Sequence, residues 1–116
     1  MTRMLLASAL AALVAAPAVA APPGRVQVVA REFSLSLSRA KLKPGPAIVE
    51  LVNFGQDAHD LRLRRVGGTR TYRIATVQPG GHADLRLKLL RGRYVLWCSI
   101  ANHRALGMQA TLVVKR

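Results

Sequence analysis

The stretch Tyr94-Val95-Leu96-Trp97-Cys98-Ser99-Ile100-Ala101-Asn102-His103-Arg104-Ala105-Leu106-Gly107-Met108 decides how this chain is read. Its first five residues form the most apolar strand of the sequence, rich in β-branched and aromatic side chains. Such a strand belongs in the middle of a sheet. A loop runs from Ser99 to Met108, and Ala110-Thr111-Leu112-Val113-Val114 makes a further strand. On the other side, Arg91-Gly92 is a tight turn. Before it, Leu85, Leu87 and Leu89 alternate with Asp84, Arg86 and Lys88, the period of two that marks a half-buried strand.

The same period holds back to Arg25. Val26, Val28 and Ala30 alternate with Arg25, Gln27 and Val29, and Phe33, Leu35 and Leu37 alternate with Ser34, Ser36 and Ser38. Lys43-Pro44-Gly45-Pro46 is a turn, Ala47 to Val52 a strand, and Asn53 to Asp57 a loop. Leu61, Leu63 and Val66 alternate with Arg62, Arg64 and Arg65, and Gly67-Gly68 ends that strand. Tyr72 to Val77 follows, stopped by Pro79-Gly80-Gly81. Seven to eight short strands separated by turns, with no helical period, predict an all-β antiparallel sandwich.

The first residues read differently. Arg3 supplies a positive start, Met4 to Ala16 is almost unbroken Leu, Ala and Val, Pro17 ends the run, and Ala18-Val19-Ala20 offers small residues for cleavage. This is the pattern of a secretory signal peptide over residues 1–20, with a periplasmic or secreted domain over residues 21–116. The apolar run is short for a membrane span, which needs about 20 residues. A mature chain of about 96 residues buries one modest core.

The net charge is +13, and loss of Arg3 with the leader leaves +12 on the side chains. That imbalance points to partner proteins with acidic surfaces or to an anionic membrane surface. The export signal and the scattering of the basic residues along strands argue against nucleic acid. Alternation places much of this charge on the outer faces of the sheets.

The mature chain has one cysteine, one methionine and three histidines. A lone cysteine excludes an intrachain disulfide and calls for another use. Thiolate, imidazole and thioether recur at Cys98, His103 and Met108, the donors that suit a soft metal and copper in particular. One loop does not easily surround a metal. His59, where a loop enters a strand, is the candidate for a fourth donor, and packing of two sheets can bring it close. Each residue taken alone also fits an ordinary role: Cys98 as a small buried hydrophobe, Met108 as core filler, His59 and His103 as loop or surface histidines. His82, in the turn after Gly81, reads as a surface residue.

Taken together, these residues make the chain similar to the plastocyanin/azurin-type cupredoxins from about Val26 to Lys115. The resemblance rests on Glu32-Phe33, Lys43-Pro44-Gly45, Asn53 ahead of His59, Tyr94 to Cys98, His103, Gly107-Met108 and the last strand. The Cys-x4-His-x4-Met spacing resembles that of rusticyanin- and sulfocyanin-like members. The resemblance implies a Greek-key sandwich holding one type 1 copper ion between His59, Cys98, His103 and Met108, with Met108 as a weak axial donor. It implies a monomeric carrier of single electrons and no enzymatic activity. The His103 edge would meet partners through an apolar patch of Ala101, Ala105 and Leu106. Asp60 stands where relatives have Asn after the first histidine. It is expected to bond the backbone or hydroxyl of Ser99, to alter the hydrogen bonding of Cys98 and so to lower the potential. Arg91-Gly92 replaces the usual Pro-Gly.

Two other readings remain open at this stage. The protein stores or delivers copper without carrying electrons, although a single methionine is few for that task. Alternatively it is a metal-free sandwich for adhesion or assembly. A multicopper oxidase or nitrite reductase needs more histidines than three.

Overall fold

The structure is a computed structural model that describes Met1–Pro17 and Ala21–Arg116. Nine strands form among the described residues: β1 (Gly24–Arg31), β2 (Ser34–Leu37), β3 (Lys41–Leu42), β4 (Gly45–Asn53), β5 (His59–Arg65), β6 (Thr71–Val77), β7 (His82–Leu89), β8 (Gly92–Trp97) and β9 (Gln109–Val114). One helical turn, α1 (His103–Leu106), lies between β8 and β9. The strands make a four-stranded sheet, β2-β1-β4-β7, and a five-stranded sheet, β3-β9-β8-β5-β6.

The all-β sandwich is as the alternation predicts, with corrections. The count rises to nine because two-residue β3 carries no visible period. Pairing is not wholly antiparallel: β1 pairs with β4, and β3 with β9, in parallel. The reason is that the chain between β1 and β4 crosses to the second sheet to form β3, so it re-enters beside β1 in the same direction. The single turn α1 is too short to show a helical period. Val66 is exposed in the turn after β5, and Phe33 is exposed ahead of β2 and does not share the core face with Leu35.

Alternation decides the core. Val26, Val28 and Ala30 of β1 meet Val49 and Leu51 of β4, and face Leu61, Leu63, Tyr94, Leu96, Leu112 and Val114 of the other sheet. Each of the fully enclosed leucines contributes about 1.5–3 kcal/mol by leaving water. Tyr94 is buried as well, and its hydroxyl accepts a hydrogen bond from the Leu90 backbone N–H at 2.9 Å. Strand β8 lies at the centre of the five-stranded sheet, as its composition predicts.

Met1–Pro17 is exposed and has no regular secondary structure. The cleavage motif Ala18-Val19-Ala20 lies outside the described residues. Among the described residues no helix is long and apolar enough to cross a membrane.

Candidate metal centre

The same alternation that builds the core carries three donors to one end of it. Along β8, Tyr94 and Leu96 point inward, and so does Cys98, which is wholly buried. Along β9, Leu112 and Val114 point inward, and Met108, one step before the strand, is wholly buried in the same cluster. The Cys98 N–H donates to the Met108 carbonyl at 3.1 Å, so the two are cross-strand neighbours. On β5, His59 is in phase with Leu61 and Leu63 and is 0% exposed. A β-bulge between His59 and Leu61 in the pairing with β6 sets the entry of this strand, as bulges beside functional sites do.

His103 comes from the loop. The turn closes through Leu106 N–H to Asn102 O, Gly107 N–H to Arg104 O and Met108 N–H to His103 O, each at 3.1 Å. Ala101 takes a left-handed φ of 44° and Gly107 a φ of 128°. These positions let a short loop fold back so that its one histidine faces Cys98. His103 keeps 9% exposure, against none for His59.

The donors meet. Cys98 Sγ lies 3.7 Å from His103 Nδ1 and 4.0 Å from His59 Nδ1, and the two imidazole centroids are 5.1 Å apart. All three ligand atoms lie within 4.8 Å of one another. Metal–nitrogen and metal–sulfur bonds of about 2.0 and 2.3 Å at 120° place N and S about 3.7 Å apart. The spacing therefore fits three donors around one small ion. Burial pushes the Cys98 thiol above its usual value, against the opposing pull of its backbone hydrogen bonds. A cation at this point would supply the positive charge that makes a buried thiolate favourable. The donor set fits a soft or borderline metal.

Surrounding groups fix the donors. Glu32 Oε1 is 2.8 Å from His59 Nε2, the ring nitrogen that faces away from Cys98. The Glu32 carboxylate also accepts the Gln56 and Asp57 N–H groups, and these bonds hold its carboxyl down at about 2. Asn53, fully buried, donates to the Asp57 and Val77 carbonyls and accepts from Gly55 N–H. A Cβ on Gly55 would collide with the Glu32 carboxylate, so only glycine allows this approach. Asp60, on the face of β5 opposite to His59, accepts the Ser99 N–H at 2.7 Å and the Ser99 hydroxyl, and lies 3.4 Å from the Arg62 guanidinium. The expected tie to Ser99 is present, and it is made to both the backbone and the hydroxyl.

The four candidate residues thus converge at one end of the sandwich. His82 is exposed at the start of β7, in the other sheet, with Nδ1 3.7 Å from Glu50. Sequence reasoning missed the role of Glu32. Its signal was faint: an acid in a chain with few, 27 positions before the histidine it touches. It also missed that Phe33 covers His103, with ring centroids 5.2 Å apart. Phe33, Ala101, Ala105 and Leu106 are exposed around that histidine.

No protein-family model matches the chain, and no curated protein matches it. Solved structures do. The dithionite-reduced auracyanin of Roseiflexus castenholzii is 14% identical, with a TM-score of 0.65, over 83% of this chain and 100% of that one. Auracyanin A of Chloroflexus aurantiacus, a "blue" copper protein, is 12% identical with a TM-score of 0.64, over 81% and 100%. The purple cupredoxin of Nitrosopumilus maritimus is 17% identical with a TM-score of 0.55, over 77% and 98%. The chain has the cupredoxin fold.

Proposed function

We propose that this chain is a periplasmic or secreted type 1 copper protein that carries single electrons between partner proteins. The observation that supports it best is the enclosed trio in which Cys98 Sγ faces His103 Nδ1 and His59 Nδ1 at 3.7 and 4.0 Å. His59, Cys98 and His103 would hold the ion, with Met108 as the weak fourth donor. Copper bound to a thiolate and two imidazoles supplies a one-electron couple. The residues of the chain do the rest. Glu32 fixes the tautomer and tilt of His59, as carboxylates behind ligating histidines do. Asp60 ties the Ser99 end of the Cys98 loop to the His59 strand. The core clamps Cys98 and Met108 across β8 and β9, so the donors move little between oxidation states.

The enclosure favours a carrier over a delivery protein. His59, Cys98 and Met108 are wholly buried, so a copper-accepting partner would find only the His103 edge. That edge suits electron transfer: Phe33, Ala101, Ala105 and Leu106 offer a small apolar contact, the kind that weak redox encounters use. The basic charge would favour partners with acidic surfaces. With His59 and His103 engaged, one histidine remains, too few for the additional centres of a copper oxidase.

The test is the absorption spectrum of the copper-loaded protein beside that of Cys98→Ser, with redox cycling of the first. A strong visible thiolate-to-copper band that is lost in Cys98→Ser, and that bleaches and returns with one electron, is the expected result. Identical spectra would refute the site. Copper that leaves to a partner on reduction would refute the carrier role alone.

A further inference from the structure

The charge of this molecule is sorted along the strand axis. Of the five acidic residues, Glu32, Asp57 and Asp60 surround the entry of β5, at the metal pole. Glu50 and Asp84 face each other across the β4–β7 pair. None stands at the opposite pole. There the chain leaves β9 and β3 and enters β1 and β4, because Val114 pairs with Leu42 and Gly24 with Ala47. An open cavity of about 670 Å³ lies at this end, lined by Arg39, Lys41, Lys43, Lys115 and Arg116 together with prolines and Leu42. All five cations are exposed, and none has an acidic partner among the described residues.

The leader joins the domain at this pole as well, through Ala21-Pro22-Pro23 into Gly24, residues that line the same cavity. The seven residues from Pro17 to Pro23 reach at most about 25 Å when extended. While the leader is still attached, a membrane that receives the apolar run Met4 to Ala16 therefore stands close to the five cations.

We propose that the pole opposite the metal site is a docking surface for an anionic phospholipid bilayer, which leaves the His103 edge facing away from the membrane. The lysines and arginines meet headgroup phosphates, and the position of the leader favours a bilayer over an acidic protein at this end. The binding does not depend on copper.

The test is co-sedimentation of residues 21–116 with vesicles. Among the described residues, every buried one lies between Val26 and Val114, so this piece holds their core. Vesicles of phosphatidylcholine alone are compared with vesicles that also contain phosphatidylglycerol, at salt of ~0.1 and ~1 M, where the screening length falls from about 10 to 3 Å. Binding is expected only with phosphatidylglycerol and only at low salt. Each basic residue near such a surface strengthens binding about fivefold. The pair Lys43→Glu/Lys115→Glu is therefore expected to lower partitioning more than tenfold. Arg31→Glu/Arg73→Glu, the same charge change on exposed positions of β1 and β6 away from this pole, is expected to lower it far less. Equal losses from the two pairs would show that net charge alone acts and would overturn the proposal. So would capture of polyglutamate at this pole without binding to vesicles. A thermal midpoint matching the parent certifies each variant as folded. The visible band of the copper-loaded samples reports on the metal centre separately, so lipid binding without colour would count against the copper reading alone.

Discussion

Asp60→Ala is the perturbation that most directly asks whether two ligand loops are tied together. Asp60 is 4% exposed and accepts two hydrogen bonds from Ser99, one from the backbone and one from the hydroxyl. A hydrogen bond to a charged group contributes about 1.5–3 kcal/mol, and both are lost. Ser99 sits partly in water and recovers some of that, so the low end of each range applies and the net cost is about 3 kcal/mol. The Arg62 contact is longer, at 3.4 Å, with Arg62 still partly in water, and adds less. In a domain of this size each kcal/mol moves the midpoint by about 4–8 °C, so the metal-free protein should melt about 12–24 °C lower. Asp60→Asn is the control. It removes the same charge from an already basic protein but keeps an acceptor for the Ser99 N–H and gains a donor toward the hydroxyl. It should cost about 1 kcal/mol, the difference between charged and neutral bonds. Circular dichroism melts of the two variants without metal make the comparison. Equal losses would mean that charge balance, not the tie, is at stake. A loss under about 1 kcal/mol for Asp60→Ala would mean that Ser99 is not held from β5. In the copper-loaded form, Asp60→Asn should raise the reduction potential, because a carboxylate beside the Cys98 loop favours the oxidised ion.

Two other changes probe the frame around the site. Glu32→Ala leaves His59 Nε2 without its partner and should weaken metal affinity roughly 10–100-fold, measured by competition with a chelator, while Glu32→Gln keeps an acceptor and should lose less. Gly107→Ala places a Cβ 2.7 Å from the Phe33 carbonyl oxygen at a φ of 128°, so it should cost about 1–3 kcal/mol in a thermal melt even though residue 107 supplies no donor.

Much of the fold was legible because a strand with one face in water repeats every two residues. The inward sets Val26-Val28-Ala30 and Leu61-Leu63 could be read directly, and with them much of the core, whereas the unbroken apolar run Tyr94 to Cys98 showed no phase. The parallel pairs β1–β4 and β3–β9 could not, since direction depends on where the chain crosses between sheets and not on local period. Phe33 shows the limit of pattern reading. It follows the phase of Leu35 and Leu37 in the sequence, but the turn between β1 and β2 lifts it onto His103.

The site divides along the same line. The order and spacing of Cys98, His103 and Met108 are local, held on one loop between two strands, so the primary structure alone places these three donors together. The inward direction of Cys98 and Met108 came from the structure, because Tyr94 to Cys98 and Leu112 to Val114 are apolar on both faces and show no phase. That His59 joins them depends on the fold, since it requires β5 to lie beside β8 in the right register. Glu32 belongs wholly to the tertiary structure: its place behind His59 needs β1, the Asn53–Asp57 loop and β5 to meet. Contacts between residues far apart in the chain depend on how two sheets stack, and no period in the sequence records that.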